Sequence, residues 1–570
     1  MTNLLIKNGI VYDPLNNING EKKDIAIKNG KIAEKANGGK VIDASGLIIM
    51  PGGVDIHSHI SGSKVNCGRF LRPEDHRKEG IKKTKITRSG TGYSVPSTWV
   101  TGYKYTVMGW TTVAEPAVPP LKSRHTHEEF NDIPIIDKCC FPVFGNNWFV
   151  LDYIGEGNLD KLAGYIAWLL RACKGYAVKL VNPGGVENWG WGKNVDSLDD
   201  MVLHFEVTPR QIINALGAAN ERLGLPHTIH VHGNNLGHPG VYKITKETFK
   251  AVQGMKSHKN RKTVMHFTHL HFNAYGGTGW KDFGSEAAEL ADYLNQHDNI
   301  SFDVGQAIYG DTTTMTGDGP WEYALQGIVS AMGWGTKGGF KWINGQVEAE
   351  CGSGVVPYVF SPKNPVNAVQ WAIGLELMLH FKDPWRAYLT SDHPNGGPFV
   401  NYPTVISWLM SKQARKAMLE KSHKNATEKT TLADLDREYT LNEICIVTRA
   451  GTAKCLGMVN KGHLGIGADG DVAIYNLSPS ETDPTKIAKA FSQAAYTIKD
   501  GVIVAKDGEI IEAPMGRIIW NDVKLPESIE TMVLEDIKKK WSAYYSVNLA
   551  NYPVQEHELI NPAPITIEAK

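Results

Sequence analysis

Two histidines separated by one residue are the first side chains whose types and spacing could bind a metal ion. The segment PGGVDIHSH places His57 and His59 at positions i and i+2 of a predicted strand. Alternate residues of a strand face the same side, so both imidazoles could bind a single ion. Surface or core histidines are the alternative explanation, and this pair alone does not decide between the two.

Three further predicted strands end in similar residues. The segment TIHVHGNN carries two histidines, VMHFTHLHF carries three, and LTSDHPNGG carries an aspartate followed by a histidine. These residues are His230, His232, His266, His269, His271, Asp392 and His393. The C-terminal ends of barrel strands converge on one mouth, where catalytic residues are found. Histidines at three strand ends, together with the aspartate, therefore favour a metal site over separate core histidines.

A lysine in an apolar strand is the remaining candidate. Lys179 lies within YAVKLVN, and burying an unpaired lysine is energetically costly. It could extend to solvent or pair with an acidic residue. Alternatively, its deprotonated amine could capture CO₂, and the resulting N-carboxylysine could bridge two divalent cations. The spacing of His57, Lys179, His232, His269 and Asp392 places them on strands 1, 4, 5, 6 and 8 of a repeating strand–helix pattern.

Eight apolar segments, several followed by helical patterns, would position these side chains. The predicted strands are 54–59, 111–116, 139–146, 176–182, 228–234, 264–272, 300–306 and 387–393. This pattern predicts an α/β fold built on a (β/α)₈ TIM-like barrel, with a doubly wound open sheet as the alternative. Thr208 and Pro209 have the pattern of a helix N-cap followed by proline. Two long insertions, 61–110 and 307–386, interrupt the alternation, and such insertions are often functional.

Both ends of the chain are rich in predicted strands. Residues 1–50 and 441–524 carry β-branched residues between turn signals, including ICIVTRAGTAKCLGM and RIIWNDV in the second segment. The two ends are predicted to form one small β-sandwich domain beside a barrel that spans residues 51–440. Residues 525–570 are predicted to be a charged helix followed by a proline-containing tail.

Composition limits the class of protein. Of the 570 residues 42% are hydrophobic, and 60 basic residues balance 60 acidic ones. The resulting net charge of zero argues against a protein whose overall field binds nucleic acid or an acidic membrane. The seven cysteines form no CxxC pair, so neither a disulfide framework nor an iron–sulfur cluster is expected. No signal peptide or membrane-spanning stretch is recognisable, so a soluble cytoplasmic protein is expected.

The set of His-x-His, lysine, two histidines and aspartate resembles the binuclear amidohydrolase superfamily, which includes hydantoinases and dihydroorotases. The flanking segments VIDASGLIIMPGGVDIHSH and TAKCLGMVNKGHLGIGADGDVAIYNL are similar to its first barrel strand and its return to the small β-domain. The resemblance implies two divalent ions, expected to be zinc, and a catalytic proton shuttle at Asp392. The implied metal ligands are His57, His59, carboxylated Lys179, His232, His269 and Asp392.

Within that superfamily, the chain is most similar to the A subunits of formylmethanofuran dehydrogenases. Segments that carry this similarity include HSHISGSKVNCGRFLRPEDHRK, YAVKLVNPGG and LTSDHPNGGPF. The similarity implies reversible joining of formate and methanofuran to N-formylmethanofuran, a step of CO₂ fixation in methanogenesis. A partner subunit that carries tungsten or molybdenum and iron–sulfur clusters would reduce CO₂ to formate.

Other functions would use the same metal site. One alternative is a stand-alone cyclic amidohydrolase, of the hydantoinase or N-acyl amino acid deacylase type. Another is the A subunit of a bacterial formyltransferase/hydrolase complex. A non-catalytic scaffold on this fold is disfavoured, because every expected ligand position carries a suitable residue.

Overall fold

Eight parallel strands form the centre of the protein in the computed structural model, which describes residues 3–36, 38–258, 261–331 and 342–569. The strands are Gly53–Asp55, Trp110–Val118, Asp137–Pro142, Lys179–Val181, Ile229–His232, Met265–Phe267, Ile300–Asp303 and Ala387–Tyr388. Every residue in them is buried. Such complete burial is typical of parallel strands that are covered on both faces.

The eight strands pair in chain order. Hydrogen-bonded pairing joins the first three strands to one another and, separately, the fourth to the eighth. Isolated bridges link the two groups at both edges, between Val143 and Lys179 and between Ser58 and His393. The predicted α/β, TIM-barrel-like class is therefore confirmed, and we number these strands 1 to 8 as barrel strands.

Helices separate the barrel strands along the chain. They are Ser63–Leu71, Thr98–Val107, Ser123–Asp132, Trp148–Gly155, Leu159–Cys173, Gly185–Trp189, Pro209–Leu223, Tyr242–Ala251, Ala287–Gln296, Gly319–Ala331, Pro365–His380, Tyr402–Met410, Lys412–Lys421 and Asn425–Glu428. The helix Pro209–Leu223 begins at the predicted signal, because the Thr208 side chain accepts a hydrogen bond from the Gln211 N–H. It ends at Gly224, whose left-handed backbone is a common helix stop.

Strands from the two ends of the chain form one nine-stranded mixed sheet. They are Asn3–Asp13, Ile18–Lys28, Lys31–Ala33, Lys40–Asp43, Ile48–Pro51, Val472–Tyr475, Tyr496–Lys499, Val502–Lys506 and Glu509–Ile510. The ends meet where Ile48–Pro51 pairs antiparallel with Val472–Tyr475. A hydrophobic cluster separate from that of the barrel, which includes Ile6, Ile27 and Ile474, stabilises this end sheet.

One segment that the sequence predicts as a strand is helical. Residues of ICIVTRAGTAKCLGM lie in the consecutive helical segments Leu441–Cys445, Ile446–Ala450 and Gly451–Leu456, so the strand prediction was wrong there. The central part of this helix is buried throughout, and such a helix shows no polar face by which it differs from a buried strand. The better signals were local: a capping box between Thr440 and Glu443 at its start.

The C-terminal part of the chain packs on the barrel. The strand Ile518–Lys524, which contains most of the RIIWNDV segment, pairs with Pro562–Glu568 and with the start of barrel strand 3. The long helix Glu527–Tyr544 lies between these two strands in the chain. The predicted helix is therefore present, and part of the predicted tail is a strand. Among the described residues, none of the helices combines the length and the apolar character that a membrane span requires.

The insertion after barrel strand 7 forms a small antiparallel sheet. Its strands are Gly310–Thr316, Ile343–Val347 and Cys351–Phe360, in the order first, third, second. The helix Gly319–Ala331 follows the first strand, and residues 332–341 lie outside the described part of the chain. A two-stranded pair, Tyr275–Gly276 with Gly284–Ser285, follows barrel strand 6.

Candidate metal centre

The ends of barrel strands 1 and 8 bring three predicted site residues together. Strand 1 ends at Asp55, so His57 and His59 lie just beyond it rather than within it. The His59 N–H donates a hydrogen bond to the His393 carbonyl oxygen (2.7 Å) and ties this segment to the end of strand 8. Asp392 Oδ1 lies 2.9 Å from His57 Nε2 and 3.4 Å from His59 Nε2. Both imidazoles therefore face one carboxylate.

Barrel strands 5 and 6 supply two more histidines beside this pair. Strand 5 ends at His232, and the ring centroids of His232 and His269 are 4.7 Å apart. The His269 ring centroid is also 5.2 Å from that of His57. His269 follows strand 6 with a left-handed backbone (φ 37°), and its buried Nδ1 has no hydrogen-bond partner. The structure thus places the four predicted histidines and Asp392 in one group.

Lys179, the first residue of barrel strand 4, is 1% exposed, and its Nζ has no hydrogen-bond partner. Burial lowers the pKa of Lys179 to about 7, although Asp303 and Asp392 oppose this shift. A substantial fraction of the amine is therefore uncharged near neutral pH, which is the form that reacts with CO₂. A purely structural buried lysine would pair with an acidic group instead.

The other histidines of barrel strands 5 and 6 bind partners inside the protein. His230 lies 2.9 Å from His57 through Nε2 and 3.1 Å from His227 through Nδ1. His266 lies 2.9 Å from Asp303 through Nε2 and 3.0 Å from a serine hydroxyl through Nδ1. Neither ring has a free nitrogen for a metal ion, which supports the choice of the other two histidines made from the sequence.

Glu115 is a supporting residue that is absent from the predicted set. Its Oε1 lies 2.9 Å from His59 Nδ1, and its Oε2 accepts hydrogen bonds from the N–H groups of Ile60 and Ser61. A carboxylate at Nδ1 holds the ring with its Nε2 lone pair free, an arrangement common around metal-binding histidines. Glu115 interrupts the apolar run of strand 2, so the reasoning that identified Lys179 could have found it.

Asp303, at the end of barrel strand 7, is also absent from the predicted set. Its carboxylate accepts hydrogen bonds from the hydroxyls of Thr268 (2.6 Å) and Thr390 (2.8 Å). The His269 N–H donates to it as well (2.8 Å), and His266 Nε2 lies 2.9 Å away. Asp303 therefore positions residues of strands 6 and 8 around the group. Its acidic side chain within the predicted strand ISFDVGQ was the available signal.

Asp318 reaches the group from the insertion after barrel strand 7. Its Oδ2 lies 3.0 Å from His232 Nε2, and its Oδ1 accepts a hydrogen bond from the Asn182 side chain (3.0 Å). It is 1% exposed. No local sequence signal marks Asp318, because its position depends on how the whole insertion folds over the barrel.

The donor set suits divalent metal ions. Ligand atoms of His57, His269 and Asp392 lie within 4.8 Å of one another. Burial is the largest cause that lowers the pKa of His57, His232 and His269, so these rings keep the lone pairs that metal binding requires. Histidine nitrogens and carboxylate oxygens are typical zinc donors. The unpartnered buried Nζ of Lys179 also indicates a missing ligand. The residues present therefore fit the metal ions that the sequence implies.

A cavity of about 420 Å³ adjoins the group. It is lined by His232, Leu236, Phe272, Thr314, Thr316, Trp321, Leu325, Tyr358, Phe360, Gln370, Asp392 and Asn395. Six of these residues, from Thr314 to Phe360, come from the insertion after barrel strand 7. The walls are largely apolar, so the cavity provides room for a small organic group beside His232 and Asp392.

Known proteins resemble this chain over nearly its whole length. Residues 40–505 match the model of the Amidohydrolase family. Protein FwdA of Methanocaldococcus jannaschii is 53% identical over 571 aligned residues, which cover 99% of each chain. The A chain of the formyltransferase/hydrolase complex Fhc of Methylorubrum extorquens is 35% identical over 532 residues, which cover 91% of each chain.

A solved structure extends this comparison to three dimensions. In the crystal structure of the Methylorubrum extorquens complex FhcABCD with methylofuran, one chain superposes on this one with a TM-score of 0.88. The two chains are 30% identical, and the superposition covers 100% of both. The resemblance predicted from the histidine, lysine and aspartate motifs is confirmed by these similarities.

Proposed function

We propose that this chain, which belongs to the amidohydrolase family of metal-dependent enzymes, reversibly joins formate and methanofuran to give N-formylmethanofuran. One observation carries the proposal. The unpartnered amine of Lys179 is buried in the same group as His57, His59 and Asp392, at the strand ends where barrel enzymes hold their active sites. The full-length similarity to two formyl-transfer proteins supports the choice of substrate.

Each candidate ligand has a proposed place. His57, His59 and Asp392 would hold one ion, His232 and His269 the other, with carboxylated Lys179 between them. Two bound divalent ions, zinc in this proposal, would activate a water molecule and polarise the formyl carbonyl. Glu115 and Asp303 would keep the histidines in their orientation through the hydrogen bonds described above.

Asp392 is the proposed proton carrier. In hydrolysis a C–O bond forms between water and the formyl carbon, and the C–N bond of the amide breaks. Asp392 accepts a proton from the attacking water and donates it to the departing nitrogen. In condensation it removes that proton from the amine. Burial raises the pKa of Asp392 and favours this exchange, although His59 opposes the shift.

The cavity is the proposed site for the group that carries the amine. Its apolar walls, among them Phe272, Trp321 and Tyr358, suit a flat organic ring better than a charged chain. The low exposure of the surrounding residues keeps bulk water away from the reacting amide. Such exclusion of water strengthens the electrostatic interactions of Asp392 with the substrate.

Finer features of the protein belong to the same proposal. We propose a closed (β/α)₈ barrel over residues 51–440, a β-sandwich from residues 1–50 and 441–524, and a C-terminal segment over 525–570. The nine-stranded end sheet supports this division. The proposed partners are subunits with tungsten or molybdenum and iron–sulfur clusters, in the cytoplasm. The similarity to a chain of a four-subunit complex supports an assembly of this kind.

The test is formate release from N-formylmethanofuran by the purified, zinc-loaded full-length chain. We expect release by the wild type, with loss on chelation and at least about a 100-fold decrease in Asp392→Asn, because the variant cannot carry the proton. Asp436→Asn, which changes an exposed aspartate with the same chemistry, is the matched control and should keep wild-type activity.

Three results would separate the alternatives. No formate release, combined with turnover of a hydantoin or an N-acyl amino acid, would replace the proposed substrate and keep the metal site. Zinc-independent release that survives Asp392→Asn would overturn the mechanism. Co-purification with subunits that lack tungsten, molybdenum and iron–sulfur clusters would favour the role of a formyltransferase/hydrolase subunit, which the superposition with the FhcABCD chain also supports.

A further inference from the structure

A row of three buried imidazoles leads away from the candidate metal centre. His57 Nδ1 lies 2.9 Å from His230 Nε2, and His230 Nδ1 lies 3.1 Å from His227 Nε2. At the far end, His227 Nδ1 lies 2.8 Å from the carbonyl oxygen of Cys455. All three rings are at most 1% exposed. His227 and His230 have no role in the mechanism given above.

The carbonyl oxygen fixes the direction of every hydrogen bond in this row. It can only accept, so His227 Nδ1 carries a proton and donates it. The row has three contacts, and each needs one proton. Three neutral imidazoles carry three protons in total, so each contact uses one of them. His227 Nε2 therefore accepts from His230 Nδ1, and His230 Nε2 accepts from His57 Nδ1. No proton is left for His57 Nε2.

A second chain of hydrogen bonds ends at the same atom of His57. The Thr268 hydroxyl contacts His57 Nδ1, and its single proton is directed to the Asp303 carboxylate, 2.6 Å away. Thr268 therefore offers His57 a lone pair rather than a proton. Both chains require a proton on His57 Nδ1, although one starts at a carbonyl oxygen and the other at a carboxylate.

We propose that the row His57–His230–His227–Cys455, which we call the imidazole row, sets the tautomer of His57 and leaves its Nε2 bare for a metal ion. His227 and His230 are thus positioning residues. The inference rests on the proposed metal centre, because the bare Nε2 is the atom 2.9 Å from Asp392. It also explains why His230 is not a ligand: both of its nitrogens are used within the row.

The test uses His227, because it contacts none of the candidate metal ligands. In His227→Gln, the amide can still donate to the Cys455 carbonyl and accept from His230, whereas in His227→Phe it can do neither. The matched control is His127→Phe. His127 is a buried histidine whose Nε2 lies 2.8 Å from the carbonyl oxygen of Cys173, apart from the imidazole row.

Two measurements on the full-length proteins report on the row. The first is the zinc dissociation constant from chelator competition. Loss of a group that orients a metal ligand typically weakens binding about 10- to 100-fold. We expect that weakening in His227→Phe, less than about threefold change in His227→Gln, and wild-type affinity in His127→Phe. The second is ¹⁵N NMR of histidines in the metal-free wild type, where His57 should carry its proton on Nδ1.

The outcomes separate this inference from the proposed function. Wild-type zinc affinity in His227→Phe, or equal losses in the Gln and Phe variants, would overturn the imidazole row. A proton on His57 Nε2 in the metal-free protein would overturn it as well. If the wild type bound no zinc, the proposed function would fail, while the NMR measurement would still decide the tautomer. If His227→Phe did not fold, His227→Gln and the NMR measurement would decide.

Discussion

Buried charged residues cluster at both ends of the barrel, and the two clusters differ in how their charges are compensated. One cluster is the candidate metal centre at the C-terminal ends of the strands. The other, which we call the ion cluster, lies where barrel strand 3 begins and joins that strand to the end sheet. The ion cluster consists of Lys31, Asp137, Lys461, Asp469, Asp471, Lys499, Asp500 and Arg517.

An ammonium group takes the place of a cation in the ion cluster. Three of its aspartates offer ligand atoms within 4.8 Å of one another, the same criterion that the candidate metal centre meets. Lys461 Nζ lies 2.5 Å from Asp137, 2.9 Å from Asp469 and 2.6 Å from Asp471. Burial opposes ionisation of Asp469, but Lys461 and Arg517 hold its pKa below the usual range. These charges are therefore compensated within the protein.

The candidate metal centre lacks such compensation among its described residues. The Lys179 amine has no partner, and Asp392 Oδ1 and His269 Nδ1 accept no hydrogen bond. Proximity of ligand-type atoms is thus common to both clusters and does not by itself identify a metal site. The distinguishing property is whether buried polar atoms are already paired, because an unpaired buried group is costly unless a ligand completes it.

Removal of the internal cation is expected to have the largest effect on stability. Lys461→Met would leave Asp137, Asp469 and Asp471 close together without their shared partner. Breaking a buried ion pair from one side typically costs about 3–5 kcal/mol. We expect a decrease of that size in the free energy of unfolding, measured by denaturant titration. The zinc content of the folded variant should equal that of the wild type, because the two clusters lie at opposite ends of the barrel.

A small effect of Lys461→Met would contradict the comparison. A loss below about 1 kcal/mol is the value for an exposed ion pair, and it would mean that Lys499 and Arg517 compensate the aspartates without Lys461. Loss of zinc from the folded variant would contradict the independence of the two clusters. Either result can be separated from misfolding by circular dichroism of the purified variant.

Glu350 shows a third way to bury a carboxylate, with neutral donors only. It accepts hydrogen bonds from the Leu121 N–H and from the hydroxyls of Tyr545 and Tyr552 in the C-terminal segment. Burial raises the pKa of Glu350 to about 7 from its ordinary value of 4.5, although these donors oppose the shift. An acid with a higher pKa in the folded chain destabilises the fold as the pH rises from the unfolded to the folded value.

Replacement of Glu350 should therefore change the pH dependence of stability. Between about pH 4.5 and pH 7 the wild type should lose about 3 kcal/mol that Glu350→Gln does not lose. The measurement compares free energies of unfolding at pH 5 and pH 8 for both proteins. Glu348→Gln, which changes an exposed carboxylate bonded to Ser546, is the control. Equal pH dependence in the wild type and Glu350→Gln would show that Glu350 is ionised in the fold without a penalty.

The sequence predicted most of the fold because its strongest signals are local. All eight barrel strands have a short apolar run, and the helix Pro209–Leu223 has its cap. The helical segments Leu441–Cys445 to Gly451–Leu456 were mistaken for a strand, since an apolar run that is buried on every side fits both structures. The sequence also placed strand Ile518–Lys524 in the end domain, whereas its partners lie in the C-terminal strand Pro562–Glu568 and in the barrel.

The candidate site divides in the same way. The histidines, Lys179 and Asp392 follow predicted strands, so their convergence could be expected from the barrel alone. Asp318 could not be found, because the insertion that carries it has no fixed place in the strand–helix pattern. The imidazole row and the ion cluster depend on atoms from segments more than 200 residues apart. Periodicity describes one element at a time and contains no information on such contacts.

The smallest expected effect tests whether burial, rather than the number of ion pairs, decides the stability of the ion cluster. Lys31 binds the same carboxylate as Lys461, with its Nζ 2.6 Å from Asp469, but its side chain is 45% exposed. Exposed pairs contribute about 0–1 kcal/mol, so Lys31→Met should lower the free energy of unfolding by less than about 1 kcal/mol, measured beside Lys461→Met. Water can replace the exposed ammonium, whereas it cannot enter to replace the buried one. Similar losses in the two variants would show that the contact with Asp469, and not its burial, determines the energy.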